Sequence, residues 1–359
     1  MIQAWKIRRE VQRLGQQLSA LHQTLWEPIL QRRHDRLVDR GLPVFGGNIP
    51  LRPKIALFLL YQQGALPQSM VQTCAHLAEN GYSPLIVANG GLTAESRATL
   101  LPGVWKILER PNFGYDFGGY RDGILQLHRW GLTPDKLLIL NDSIWFPILP
   151  QDTLLADMEA ANVDVAGTIL RQKNGHGFLE SYLYLMKGGV LQNPVVRRFW
   201  QSYRLTANKY KVIRRGERGH SAALVAAGYD LVPMFSSADF LQRLAAEDDV
   251  FLSHTLRFSV ADSAGLAATR DALLRDDRSQ KWRGAVMEHI ERVLQSAQFY
   301  SAFPYASVKL MRYPILKKSG DRVAVLWRKA YTAAVEAGEI DVPSISNELN
   351  AQVLREQYV

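Results

Sequence analysis

The sequence holds a single cysteine, Cys74, which excludes an intramolecular disulfide framework and a cysteine-rich zinc site. Cys74 lies in an apolar helical stretch and reads as a buried structural side chain rather than a reactive thiol. No apolar run approaches the roughly 18–20 residues that a membrane span needs. The N-terminal stretch MIQAWKIRREVQRLGQQ is charged and amphipathic, without the continuous apolar segment of a secretory signal. A cytoplasmic protein is expected. The Gly-Lys-Ser/Thr phosphate loop and the G-x-G-x-x-G dinucleotide fingerprint are both missing, which argues against an ordinary nucleotide-hydrolase or NAD site. Zinc-finger spacing and RNA-binding aromatic motifs are missing too, and basic residues are spread along the chain, so no nucleic-acid partner is expected.

What is present is a 359-residue chain, 47% hydrophobic and 21% charged, the composition of a folded protein. The length allows one large α/β domain with helical additions, or two modest domains. The formal net charge of +9 calls for an anionic partner, a sugar nucleotide or a membrane surface.

Residues 1–53 read as an N-terminal amphipathic helical segment with a linker. Ile2, Trp5, Val11, Leu14, Leu18, Leu21 and Leu25 recur at helical spacing, with Lys6, Arg8, Arg9 and Arg13 between them. Pro28 ends or kinks that helix, and Arg32, Arg33 and Arg36 follow. Such a segment suits an anionic membrane surface, the inner face of the cytoplasmic membrane, as a peripheral attachment. It equally suits packing on the domain or pairing with a second copy. Gly41–Pro53 is the linker.

Strands and helices then alternate through residues 54–255. Strands are expected over Lys54–Tyr61, Ser83–Ala88, Trp105–Leu108, Lys136–Leu140, Val163–Ile169 and Ser181–Met186. Helices are expected over Gln68–Asn80, Ala94–Leu101, Gly119–Trp130, Thr153–Ala160, Pro194–Tyr203 and His220–Ala227. This order implies a doubly wound, mostly parallel sheet with ligands at the carboxyl ends of its strands. Residues 256–359 change to helices with polar spacers, a helical C-terminal extension that includes Trp282–Ala297.

Three polar elements fall where such a fold binds ligands. Lys136–Leu140 runs straight into Asn141-Asp142-Ser143; a carboxylate there is poorly explained by packing and fits a metal-bound diphosphate or a sugar hydroxyl. An Asx turn is the plainer alternative. The run Asn112–Gly123 interleaves Gly114, Gly118, Gly119 and Gly123 with aromatic rings, Asp116 and Arg121, and opens a helix whose N–H groups favour phosphate. Glu217 sits in RRGERGH, a glycine-flanked turn whose basic residues keep it ionised for work as a base; a helix-start carboxylate is the plainer alternative. His220 is a second polar candidate in the same stretch.

The order NFGYDFGGYRDGI, LLILNDSIWFPI, DVAGTI, FLESYLYLMKGGVL and GERGHSAALVAAGY resembles the rhamnan synthesis protein F family, and FPYASVKLMRYP (Phe303–Pro314) resembles its closing segment. The likeness runs from about residue 54 to 318. It implies a glycosyltransferase-like protein of bacterial cell-surface polysaccharide synthesis. More distantly the same order is similar to inverting family-2 glycosyltransferases of the GT-A fold. That similarity matches Asn112 and Gly114 to the first donor element, Asp142 to the metal and diphosphate position, and Glu217 to the acidic base. The strand tip departs from the Asp-x-Asp pattern by offering one carboxylate, so Mg²⁺ or Mn²⁺ at Asp142 and metal-independent catalysis, with Arg121 or another cation balancing the diphosphate, both stay open.

The resulting expectation is sugar transfer from a nucleoside-diphosphate donor to a lipid-linked glycan acceptor. The nucleotide would lie near Tyr61 and Asn89, the diphosphate near Asn141, Asp142 and Ser143, and the donor sugar near Asp116. A non-catalytic glycan- or nucleotide-binding subunit of a polysaccharide assembly fits the same residues, as does another phosphate-transfer enzyme on the same sheet. Product analysis separates them.

Overall fold

A computed structural model describes residues 26–62, 64–173, 175–276, 278 and 280–356. The chain forms two compact units. The first takes the described residues of Met1–Leu66, Leu77–Asp142 and Val163–Val232, and the second those of Pro67–His76, Ser143–Asn162 and Pro233–Val359.

The first unit is built on strands β1 (Val44–Gly46), β2 (Lys54–Leu60), β3 (Tyr82–Asn89), β4 (Lys106–Arg110), β5 (Lys136–Asn141), β7 (Val165–Lys173), β8 (His176–Leu179) and β9 (Leu183–Lys187), with the two-residue β6 (Ile144–Trp145) lying between β5 and β7 in the chain. Their order is β1-β4-β3-β2-β5-β9-β7, with β8 on β7. β4, β3, β2 and β5 are mutually parallel, the parallel core that the strand–helix alternation predicts. Both faces of β2 and β3 are covered, which is why KIALFLL and YSPLIVAN read as continuous apolar runs. β1 on β4 and β9 on β5 run antiparallel to this core, and β7, antiparallel to β9, runs again in the core's direction.

The register decides where the ligand end lies. Leu59 pairs with Asn141 and Leu60 with Ala88, so Tyr61, Asn89 and Asp142 emerge together at one edge. The chain steps from β2 through β3 to β4 in one direction, then returns to place β5 on the other side of β2. That reversal opens a crevice between the carboxyl ends of β2 and β5.

The helix Tyr115–Arg129 covers β2 and β3, starting four residues before the sequence-based expectation. Its glycines serve this packing. A methyl group on Gly119 would overlap Leu59 Cδ1, and one on Gly123 would lie 2.5 Å from Leu57 Cδ1. The helix can therefore lie close against the sheet only with glycine at these positions. Gly114, with φ of 92°, supplies the left-handed turn that starts it.

Residues 26–40 form a helix of the same unit. The apolar pattern expected over residues 2–25 lies outside the described residues. Among the described residues no helix is long and apolar enough to cross a membrane.

The second unit is mainly helical, and β10 (Val232–Phe235) leads into it. β6 pairs antiparallel with β11 (Leu316–Lys317), matching Trp145 with Leu316. The helix Ser346–Arg355 is tied in through Glu348, which accepts hydrogen bonds from Ser69 N (2.6 Å), Ser69 Oγ (2.7 Å) and Trp145 Nε1 (3.0 Å). The stacked rings of Tyr300 and Tyr313, 4.8 Å apart, stand in its core. Ser143 opens a segment of this unit, its carbonyl accepting from Lys318 N at 2.8 Å.

Candidate functional site

A cleft of about 390 Å³ lies at the carboxyl edge of the parallel strands, lined by Tyr61, Asn89, Asn112, Gly114 and Asp116 together with Phe113, Tyr115 and Ala207. Five side-chain or backbone positions singled out in the sequence thus meet in one place, drawn from the ends of β2, β3, β4 and the first turn of Tyr115–Arg129. The rings of Tyr61 and Tyr115 are exposed there.

Asn141 and Asp142 continue this edge. Asp142 Oδ2 accepts from Tyr61 N at 2.7 Å and from Gln62 Nε2 at 3.1 Å, while Asp142 N donates to Leu59 O. The carboxylate thereby ties the end of β5 to the end of β2 across the crevice. Asn141 is buried and its amide donates to Asp116 Oδ2 (3.2 Å) and Tyr120 Oη (3.0 Å). The Tyr120 hydroxyl donates in turn to Ser181 O at 2.9 Å. Ser181 gives both its N–H and its Oγ–H to Glu217 Oε1, each at 3.0 Å. A chain of hydrogen bonds so runs from Asp116 through Asn141, Tyr120 and Ser181 to Glu217.

The electrostatics show that these carboxyl groups share a locality. Burial pushes the Asp116 carboxyl up to about 6, and the negative charges of Asp142 and Glu217 push in the same direction against the weaker pull of Lys209. Burial, with the Asp116 charge behind it, likewise raises the Tyr120 phenol, which acts as a neutral hydrogen-bonding group.

Glu217 departs from its expected surroundings. RRGERGH forms no turn: Lys209–Val212, a π-helical stretch Ile213–Glu217 and the helix Arg218–Ala226 follow without a break. Gly216 lies inward against Phe117, where a methyl group would come within 2.5 Å of the ring, so the glycine that looked like a turn former is a packing residue. π-turns of this kind insert one extra residue into a helix and re-aim the side chains beside it. The neighbouring cations are engaged elsewhere, Lys211 and Arg215 with Glu27 at 2.8 and 3.1 Å. Ser181 holds one oxygen of Glu217 through two hydrogen bonds.

Arg121 faces away from the cleft, pairing with Asp35 (2.9 Å) and Asp122 (3.2 Å). Gly118 and Gly119 face the first unit's interior. His220 is enclosed by Phe117, Tyr184, Phe199 and Trp200, and burial lowers its pKa to about 3, so it is a neutral core ring at physiological pH.

A buried ion network beneath the cleft had no counterpart in the sequence reading. Arg110, at the end of β4, donates to Asp122 Oδ2 (2.6 Å), to Phe113 O (2.6 Å) and to Asn89 Oδ1. His34 Nε2 lies 2.7 Å from the same Asp122 oxygen. Burial alone would raise Asp122, but the Arg110 charge and the His34 hydrogen bond outweigh it and hold the carboxyl below the usual range. Arg110 so occupies the side-chain oxygen of Asn89, one of the cleft-lining residues. The charge at the tip of KILER was the local signal; the contact with His34, 76 residues before Arg110, had none.

Among the described residues no three Asp, Glu, His or Cys side chains gather into a metal cage. Asp142 does fit an ion shared with a diphosphate, because Mg²⁺ and Mn²⁺ need only one or two carboxylates when phosphate oxygens and water complete the shell. The accumulated negative charge at Asp116, Asp142 and Glu217 favours a cation there.

Residues 85–258 match the rhamnan synthesis protein F family. The match covers the stretch that carries Asn112–Gly123, Asn141–Ser143 and Glu217, in keeping with the resemblance read from the sequence. An uncharacterized protein of Sinorhizobium fredii, y4gN, is 27% identical over 350 residues, covering 95% of this chain and 90% of the relative. Among solved structures, the mannosyltransferase PcManGT of Pyrobaculum calidifontis, in complex with GDP-Man and Mn²⁺, aligns at 11% identity with a TM-score of 0.30, covering 95% of this chain and 97% of that one. TarS 1-349 of S. aureus, in complex with UDP-GlcNAc, aligns at 10% identity with a TM-score of 0.30, covering 84% of each. The α/β assignment rests on the strand order given above, not on these superpositions.

Proposed function

We propose that the chain transfers a glycosyl group from a nucleoside-diphosphate sugar to a hydroxyl of a growing lipid-linked cell-surface glycan, with inversion. The observation that carries this reading is the convergence of Asp116, Asn141, Asp142 and, through Ser181, Glu217 at the reversal point of the parallel sheet, beside a cleft large enough for a nucleotide. The nucleotide lies in the cleft, its base against the exposed Tyr61 or Tyr115 ring and within reach of the Asn89 amide. Asn112 and Gly114 border the ribose and the first phosphate, and Asp142 faces the diphosphate.

Glu217 accepts the proton of the acceptor hydroxyl as its oxygen bonds to the anomeric carbon and the carbon–oxygen bond to the diphosphate breaks. The nucleoside diphosphate leaves with the bonding pair. Asp142 would hold a divalent ion if one is bound, and that ion would supply charge neutralisation for the leaving group. Asp116 and Asn141 orient the donor sugar. The test is product analysis with a panel of nucleoside-diphosphate sugars and lipid-linked acceptors, with and without Mn²⁺. A new glycoside of inverted anomeric configuration supports the reading. Donor binding with no product from any pair in the panel would leave the chain as a binding subunit.

Asp116 adds a pH dependence. Its carboxyl keeps a proton in the folded protein up to about pH 6, whereas the unfolded chain loses it near the ordinary value of 3.8. The group's contribution to stability is therefore full below about pH 4 and is lost as pH rises through about 6. Melting temperature measured between these values should fall more steeply with pH in the parent than in Asp116→Asn. Donor affinity in the presence of Mn²⁺ should rise over the same interval, as the carboxylate forms. Parallel pH profiles for parent and variant would remove Asp116 from the site.

A further inference from the structure

The helix over residues 26–40 has two faces. Its inward face carries Glu27, Gln31, His34 and Val38. Glu27 accepts from Thr206 Oγ1 (2.6 Å) as well as from Lys211 and Arg215, and Gln31 Oε1 accepts from Leu205 N at 2.7 Å. His34 joins Asp122, and Val38 is buried. At 100° per residue, positions 26, 29, 30, 33, 37 and 40 fall on a separate arc of roughly 100°. That arc carries Trp26, Ile29, Leu30 and Leu37, which are 50, 55, 42 and 41% exposed, with Arg33 and Arg40 among them. Arg32 and Arg36 flank it, also exposed.

The charges sort in the same way. The helix has three carboxylates, and the body of the unit takes each: Glu27 by Lys211 and Arg215, Asp35 by Arg121, and Asp39 by Arg129 at 2.8 Å. The four arginines, which pair with no carboxylate among the described residues, are left on and beside the apolar arc. An apolar stripe interleaved with unneutralised arginine matches the boundary between acyl chains and anionic headgroups, where rings and aliphatic side chains sink and guanidinium groups reach phosphate. A protein partner of the same apolar area would not call for four cations.

We infer that the outer arc of this helix, Trp26, Ile29, Leu30 and Leu37 with Arg32, Arg33, Arg36 and Arg40, docks the protein on an anionic lipid surface. The inward face of the same helix holds Leu205 and Thr206, next to Ala207 in the cleft wall, and holds Lys211 and Arg215 on the segment that ends in Glu217. One helix so joins the lipid-facing surface to the cleft. The inference stands apart from the proposed reaction, because lipid binding requires neither donor nor acceptor.

Vesicle flotation of the full chain tests it. The parent should float with vesicles containing phosphatidylglycerol, not with phosphatidylcholine alone, and lose binding as NaCl is raised. Replacing Arg32, Arg33, Arg36 and Arg40 by Gln should lower the partition coefficient on the order of a thousandfold at low salt. A second variant, Ile29→Ser with Leu30→Ser and Leu37→Ser, should lower it at least about tenfold. All these side chains are exposed, so far-UV circular dichroism and melting temperature should match the parent. Equal flotation of parent and both variants would overturn the inference, as would parent binding that ignores lipid charge. Unchanged flotation with a dimer converted to monomer by the serine variant would reassign the arc to contact between copies.

Discussion

Glu217→Gln is expected to lower turnover by roughly 10²–10⁴, the contribution of a positioned general base, while KM for the donor stays near the parent value. The substitution is informative because of what it preserves. Glu217 Oε1 accepts from Ser181 N and Ser181 Oγ, and a glutamine oxygen can accept both bonds in the same place. The helix Arg218–Ala226 and the π-turn before it have no reason to move. The substitution removes the ability to take a proton together with the negative charge that raises Asp116. Steady-state kinetics with the best donor and acceptor from the panel give the answer. Turnover within about threefold of the parent would take the base role from Glu217.

Asp122→Ala should be the most damaging substitution for stability, costing about 3–5 kcal/mol. Asp122 is fully buried, and its carboxylate faces Arg110, His34 and Arg121 at once. Its removal leaves the buried Arg110 guanidinium without its counter-charge. That guanidinium also holds Asn89 and the Phe113 carbonyl, two positions in the cleft wall, so the fraction that folds should bind donor less tightly. Urea unfolding at constant m-value measures the first effect. A loss below about 1 kcal/mol would mean that apolar packing, not this network, holds the strand ends together.

The sheet was legible because its signal is local. Lys54–Leu60, Tyr82–Asn89 and Lys136–Asn141 are short unbroken apolar runs between helical patterns, and a strand buried on both faces has no other composition available. The reversed direction of β9 was not legible. A strand's residues report its burial, and both directions bury it equally; the neighbour it pairs with lies in another part of the chain.

The cleft shows the same division. Tyr61, Asn89, Asn112, Gly114 and Asp116 could be named from strand ends and helix starts, and they line one cavity. The glycines of Asn112–Gly123 pointed to the same region for a different reason from the real one. Glycine signals close approach, but the sequence does not say of what, and Gly119 and Gly123 admit Leu59 and Leu57 rather than phosphate. Gly216 misled likewise, because a glycine that lets Phe117 approach looks the same as one that lets the chain turn.

Cys74, read as a structural thiol, is indeed buried, since its place on an apolar helix stripe was visible locally. Arg121 and His220 are polar side chains whose partners are distant in sequence, and those partners, Asp35 for the one and a cage of aromatic rings for the other, turned them inward.

The sequence by itself therefore determined the parallel α/β core, the edge at which its polar candidates gather, and most of the cleft, because all three follow from periodicity and from polar residues at strand tips. Tertiary structure alone decided which candidates face the cleft, how Ser181 holds Glu217, and that His34, Arg110 and Asp122 form one buried network. Those depend on which groups meet across separations of 12 to 88 positions along the chain, and no local pattern encodes the partner of a buried charge.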